Sequence, residues 1–548
     1  MIIHSAGLNE DILANVGVCV VGSGAAGITL ACELDGADFK VLLLEAGSLK
    51  PSAATQDYYR GGADAPHPEP DQYRRVVFGG TTRIWGGRCV PFDPIDFERR
   101  AYVAESGWPI SYEEVARHYP RALEYCDAGV FDFTASGSID RARATIAGLE
   151  AGVIESDLIE RYSLPTDFGK RYRSRITDSR NVTAVLGARC LRVVKAAGED
   201  RIESVEVAGE SGERRFIRAK IFVIASGGIE STRLLLASNA HGRALGDASG
   251  RLGLYYACHL EGSIGKLVPG GAAVSFDFEK TRDGVYCRRQ MRFSAQAQRE
   301  HGLLNTAFRL HFPEYSDASH GSAAMSAIFL AKSALISEYR NILQHTSEFA
   351  TQSPASQHLR NVLRGIPQLC RFAYDWTVRR QLAVRKLPYT LVANADGSFP
   401  LEFNCEQTPL ASSRITLSGD VDVHGMPRVK LAWRRSDDDI EAMQRAFLLL
   451  RASVAGSGVS RLEFDHGELV RRLQRIAPLG GHHLGTTRMA ASPQEGVVDE
   501  NCAVFHLPNL YVASSSVFPT GSHANPTLTI VALALRLSAR LRAAIGKG

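Results

Sequence analysis

Gly22, Gly24 and Gly27 stand between two short apolar runs, and their spacing constrains what this chain can fold into more than any other feature. Val16 to Val21 is apolar and β-branched and reads as a strand buried on both faces. Gly22-Ser23-Gly24-Ala25-Ala26-Gly27 follows, then a helical stretch from Ile28 to Leu34, then a second apolar run from Lys40 to Leu44 ending at Glu45. Strand, glycine turn, helix, strand and acid, in that order, make a dinucleotide-binding unit. Gly22 lets the chain turn tightly, Gly24 removes a side chain where a pyrophosphate approaches, and Gly27 lets the helix pack on the sheet. The N-terminus of the helix that follows offers unpaired N–H groups and a partial positive charge to the phosphates. Glu45, eighteen residues after Gly27, is placed to accept hydrogen bonds from a ribose diol. The motif leaves FAD and NAD open, and the acid argues only against NADP.

The rest of the 548 residues fits an α/β protein with a second, sheet-rich part. Pro51 to Gln72 reads as an extended excursion, followed by a second glycine cluster, Gly79-Gly80-Thr81-Thr82-Arg83-Ile84-Trp85-Gly86-Gly87. Tyr112 to Cys126 reads as one amphipathic helix, with Ser111 and Glu114 as a capping box. Ile221 to Ala225 and Leu510 to Ala513 read as buried strands, and Pro526 to Ala544 as the closing helix. Between them, Cys287 to Phe293, Arg414 to Leu417 and Arg428 to Trp433 alternate as antiparallel strands do. A formal net charge of +4 is too weak a bias for a nucleic-acid footprint. Ten scattered cysteines without a CxxC pair, no secretory leader and no apolar window of membrane-spanning length point to a soluble cytoplasmic protein with reduced thiols.

Four segments together resemble the glucose-methanol-choline (GMC) oxidoreductase family of FAD enzymes: GSGAAG with LLLEAG, FGGTTRIWGG, VIASGGIESTRLLLAS, and HHLGTTRM with NLYVASSSVFPTGSHANPTLT. HANPTLT and the GWPI of Gly107 to Ile110 look most like the branch containing pyranose 2-oxidase and bacterial sugar and glycoside oxidoreductases. The resemblance implies an α/β FAD-binding domain of Rossmann type, with a parallel sheet, and an inserted α+β substrate domain whose antiparallel sheet roofs the flavin. The expected division is 1–261 for the first part of the FAD domain, with an excursion at about 50–110, then 262–476 for the substrate domain and 477–548 for the return. Cofactor contacts are expected from Gly22, Gly24, Ala25, Ala26, Gly27, Glu45, Gly79, Gly80, Thr81, Thr82, Trp85, Gly86, Gly87, Ala225, Ser514, Pro526 and Thr527. Some members attach FAD through a histidine in the second glycine loop. Ile84 stands at that place here, so non-covalent FAD is expected.

The family also places a histidine, then a second histidine or an asparagine, beside the flavin. Register against Gly485-Thr486 and Pro519-Thr520 puts these at His482 and Asn525. A neutral imidazole suits removal of a hydroxyl proton near neutral pH, and an amide N–H suits a developing alkoxide. The expected activity is oxidation of a CH–OH group of a sugar, glycoside, polyol or related alcohol to a ketone or aldehyde. The residues leave the electron acceptor open between oxygen, a quinone and a carrier protein, and no metal is expected. Other readings stand beside this one. They are a hydroxynitrile-lyase-type flavoprotein, a nicotinamide-dependent dehydrogenase and a catalytically silent flavin-binding scaffold. His482 can be a backbone-satisfied core histidine, and Asn525 a helix N-cap. His483 and His523 are nearby alternatives, and His483 points away from His482 if the segment is extended. Arg83 and Trp85 either line the flavin loop or pack. Glu230 and Arg233 read as a surface pair, and His259 loses a supporting role because Cys258 stands where an acid is expected. Leu359 to Lys386 mixes Arg with Leu, Phe, Tyr and Trp around a single acid, Asp375. It offers weak surface association with a membrane or an acidic partner, the simpler reading being a solvated helix pair.

Overall fold

Val16–Val21 is buried at all six positions and Ile221–Ile224 at all four, because each strand is covered on both faces. The computed structural model describes the chain apart from residues 141–144, 147–148, 150–151, 241–242, 272, 332–352, 390, 459, 479 and 546–548. Strands β1 (Ile2–His4), β2 (Val16–Val21), β3 (Lys40–Glu45), β4 (Val182–Leu186), β5 (Ile221–Ile224) and β6 (Leu510–Val512) form one parallel sheet in the order β1-β4-β3-β2-β5-β6. The chain leaves β2 toward β3 on one side, while β5 lies on the other. A crevice therefore opens at the carboxyl end of β2, where such sheets bind ligands. Helix α1 (Ala25–Glu33) starts there, α2 (Gly228–Ala237) follows β5, and α3 (Thr527–Ile545) packs along α1.

A second sheet orders its strands as Ser460–Glu463, Leu260–Pro269, Phe399–Cys405, Thr306–Leu310, Tyr286–Phe293, Ile154–Tyr162 and Arg88–Cys89. Its paired neighbours are antiparallel. The last two strands come from before residue 262, so this sheet is assembled from separated stretches of chain rather than from 262–476 alone. Helix Asp437–Gly456 covers one face, Phe447 packing edge-on against Phe308 and Phe403 at 5.4 Å. From the sheet, Glu261, Ser263 and Glu402 reach the cavity described below.

Three local expectations change. Tyr112 to Cys126 is two helices, Tyr112–Ala116 and Tyr119–Tyr125, because Pro120 offers no N–H and its ring bars a continuous turn. Arg414–Val421 and Pro427–Ala432 form a separate hairpin whose third strand is Gly62–Ala63 from the early excursion. The closing helix begins at Thr527, and the Pro526 carbonyl accepts its first bond, from Ile530 N–H, at 2.8 Å. Among the described residues no helix is long and apolar enough to cross a membrane.

Candidate active site

One cavity of about 1980 Å³ runs from the first glycine turn to His482 and Asn525. The N-termini of α1, α2 and α3 all reach it, through Ala25, Gly228 and Thr527. Three helix ends directed at one space favour anionic groups in it. Gly24 borders this space, and a Cβ built there meets nothing within 4 Å. Gly22 differs: its φ is +104°, and a Cβ would lie 2.6 Å from the Ala225 carbonyl oxygen. A Cβ on Gly27 would lie 1.9 Å from the Gly22 carbonyl oxygen. Thus Gly22 and Gly27 shape the turn, and Gly24 leaves a cradle open. Gly80 approaches this turn from the second loop, its built Cβ 3.0 Å from Gly24 Cα.

Of the expected cofactor residues, all line the cavity except Gly27 and Gly79. Gly79, at φ +97°, packs against Gly169 and turns the second loop instead. Glu45 accepts from Ser23 N–H at 3.1 Å, Ser23 Oγ at 2.6 Å and Gly47 N–H at 2.8 Å, so it also fixes the turn. Trp85 donates to the Thr166 carbonyl at 2.9 Å, and Arg83 pairs with Asp167 at 3.1 Å; both side chains remain on the cavity wall. Ile84 is there too, 41% exposed.

The segment carrying His482 is placed by Gly485. At φ +84°, with a built Cβ 2.3 Å from the Tyr255 carbonyl oxygen, this position admits only glycine. Leu484 then pairs antiparallel with Ala257, donating at 3.0 Å and accepting at 3.2 Å. That register sets His259 opposite His482, with Glu261 on the same face two residues on. His482 Nδ1 lies 2.7 Å from His259 Nδ1 and 3.4 Å from Glu261 Oε1, and its Nε2 lies 3.1 Å from Asn525 Nδ2. These contacts assign the tautomers. The Gly521 carbonyl can only accept, so His259 Nε2 donates to it at 3.2 Å. His259 Nδ1 is then a lone pair that receives the His482 Nδ1 proton, and His482 Nε2 is a lone pair that accepts from Asn525. Burial, reinforced by His482, pushes His259 down to about 3, which keeps it neutral. Burial acts to raise Glu261, but the hydrogen bond and charge of His482, with His259 and Arg88, outweigh it and hold the carboxyl below its ordinary value. Two nitrogens on one tetrahedral ion with bonds of about 2.0–2.1 Å stand roughly 3.3 Å apart. The 2.7 Å separation is that of a hydrogen bond, shorter than two nitrogens on one such ion would show.

His259, discounted on sequence, is therefore in direct contact with His482, and Glu261 was missed. The signal for both was the alternation His259-x-Glu261 entering a strand. Asn525 does not cap α3: it precedes Pro526, its amide nitrogen faces His482, and its Oδ1 has no partner among the described residues. His483 takes the core-histidine role. It is buried, stacks on Tyr256, and its Nε2 hydrogen-bonds the Gly480 carbonyl at 2.7 Å. His523 is buried off the cavity, 4.0 Å from Asp93. Glu230 and Arg233 are not a surface pair. Both are buried in a network with Arg74, Arg189 and Asp422, because helix α2 is covered along its length.

Residues 409–534 match the sequence profile of the GMC oxidoreductase family. That stretch of the chain is similar to the family. The open cradle at Gly24 with three converging helix ends fits the FAD that the sequence leads one to expect. The enzyme is 23% identical to 2-methyl-1,2-propanediol dehydrogenase of Mycolicibacterium austroafricanum, over 95% of this chain and 94% of that protein. It is 36% identical to C-glycoside 3-oxidase of Microbacterium trichothecenolyticum, over 24% of this chain and 25% of the relative. Pyridoxine 4-oxidase from Mesorbium loti shares the fold, with a TM-score of 0.54 and 18% identity over 96% of this chain and 99% of that one.

Proposed function

We propose that the enzyme oxidises a carbinol of a sugar, glycoside or polyol to a ketone or aldehyde, with His482 as base and Asn525 as hydrogen-bond donor. The observation that carries this reading is the 3.1 Å pair of His482 Nε2 and Asn525 Nδ2 on the cavity wall, with His482 Nδ1 tied to His259. His482 takes the hydroxyl proton at Nε2. His259 and Glu261 hold its other nitrogen, and the Glu261 carboxylate offsets the positive charge that the ring acquires. Asn525 steadies the oxygen as negative charge develops on it, and the N-terminus of α3 favours that charge. When bound, FAD supplies the acceptor for the hydride leaving the carbinol carbon. Gly22, Gly24, Ala25, Ala26 and Glu45 would hold it, with Gly80 to Gly87, Ala225, Ser514, Pro526 and Thr527 along the same cavity. Ile84 offers no nucleophilic atom, which supports non-covalent attachment.

A polyhydroxylated substrate is supported by the polar wall of the same cavity, including Ser263, Lys266, His311, Glu314, Tyr389 and Asn394. The names of two relatives point the same way, one a diol dehydrogenase and one a glycoside oxidase. All ten cysteines are unpaired, which supports a cytoplasmic location. The deciding experiment is anaerobic flavin reduction across a panel of sugars, glycosides, polyols and aliphatic alcohols. Bleaching by a polyhydroxy compound is expected. A flavin that no alcohol bleaches overturns the oxidation in favour of a lyase or a silent scaffold, and a protein that purifies without flavin favours a nicotinamide enzyme. Reopening the reaction to air separates an oxidase from a dehydrogenase that passes electrons to a quinone or a carrier protein.

A further inference from the structure

The helical segment Leu359–Lys386 is built unlike the rest of the surface. The described chain exposes eighteen large apolar residues, and eight of them lie here: Leu359, Leu363, Ile366, Tyr374, Trp376, Val378, Leu382 and Val384. Leu363 is 64% exposed, Leu382 75% and Val384 86%. This is not loose chain. Helix Ala355–Arg364 is fastened on its inner side by buried His358, which stacks on Phe329, and by Asn361, which donates to the Ala318 carbonyl at 2.8 Å. Leu359 and Leu363, four residues apart, share the outer side. Helix Ile366–Tyr374 buries no residue at all.

Cations are interleaved with these side chains. Arg360, Arg364, Arg371, Arg379, Arg380, Arg385 and Lys386 fall in the segment, and its single acid, Asp375, is paired with Arg379. Among the described residues Arg360, Arg364 and Arg371 make no ion pair. We propose that this face docks the enzyme on an anionic phospholipid surface. Such a surface accepts both halves of the pattern. Leucines and valines enter the boundary between headgroups and acyl chains, Tyr374 and Trp376 sit at headgroup level, and the arginines meet phosphates. A second copy of this chain does not suit it, because pairing the face with itself opposes arginine to arginine. Arg380 and Lys386 also line the cavity of His482, so docking sets one wall of that cavity beside the membrane.

Flotation of the FAD-loaded enzyme with vesicles tests this. Binding is expected to phosphatidylcholine vesicles containing one third phosphatidylglycerol, not to phosphatidylcholine alone, and it should weaken in high salt. Arg364→Gln with Arg371→Gln should weaken partitioning about 30-fold, the loss of two cations near an anionic surface. Leu363→Ser with Leu382→Ser should weaken it as well. All four side chains are exposed and outside the active site, so turnover of a water-soluble alcohol should stay unchanged. No binding to either vesicle overturns the proposal, as does binding that both double variants retain. So does a dimer, or a complex with an acidic protein, that forms without vesicles and is lost in the Leu363→Ser/Leu382→Ser variant.

Discussion

At His482 the chemistry depends on which ring nitrogen carries the proton, and two neighbours decide it. Removing the proposed base by His482→Ala should leave FAD bound and slow substrate reduction by roughly 10²–10⁴-fold, read by anaerobic stopped flow. Reduction at the parent rate would remove His482 from the mechanism. Glu261→Gln keeps the shape of the site but removes the anion 3.4 Å from His482. It should lower kcat by about tenfold or more, since the ring that takes up the proton loses its counter-charge. His259→Ala should lower kcat with little change in KM, because His259 touches His482 and Gly521 but does not line the cavity. The family resemblance, aligned on Gly485-Thr486 and Pro519-Thr520, singled out His482 and Asn525 as candidates without structure. It could not identify His259 and Glu261, because their roles follow from a pairing across 223 residues of chain.

The strand-turn-helix element from Val16 to Glu33 was legible because its backbone geometry is local. Two of its glycines nevertheless serve different ends, and substitution separates them. Gly24→Val should fold as the parent does, since nothing lies within 4 Å of a Cβ there, yet purify with little FAD. Gly27→Ala should destabilise the fold itself, by about 1–3 kcal/mol or more, because the added carbon meets the Gly22 carbonyl at 1.9 Å. Flavin absorbance per protein and the denaturant midpoint distinguish the two. If Gly24→Val retains full flavin, the cradle is misassigned. Other elements were less legible for physical reasons. Pro120 divides a helix that periodicity reads as continuous, and the Arg414–Val421 hairpin finds its third strand more than 350 residues earlier, at Gly62–Ala63.

Over the whole molecule, burial leaves many histidines neutral. His259 is pushed down to about 3, and His67, His311 and His320 to about 4, in each case chiefly by burial. His483 and His523 lie well below the ordinary value for the same reason. Below about pH 6.5 the unfolded chain binds protons that the folded chain refuses, so stability rises with pH in this range and is lost on acidification. Burial raises Asp96 and Glu314 to about 7, and these act in the opposite sense between about pH 4.5 and 7. With His118 and His424 also lowered, and Glu69, Glu155, Asp277 and Asp439 also raised, eight histidines stand against six carboxyls, so the thermal midpoint should fall from pH 7 to pH 5. A midpoint that rises over that interval would contradict the burial of these rings.

Taken by itself, the sequence determined the nucleotide-binding unit and the α/β class with an antiparallel partner sheet, and through its family resemblance it singled out His482 and Asn525 as candidates. Each of these is written in spacing along a short stretch, where backbone geometry and residue type act together. The tertiary structure alone decided that His259 and Glu261 stand behind His482, that Glu230 and Arg233 are buried, and that Leu359, Leu363 and Leu382 stay exposed. Burial and proximity are properties of what distant segments cover. Strand register is set by pairing partners hundreds of residues apart, and no local pattern records it.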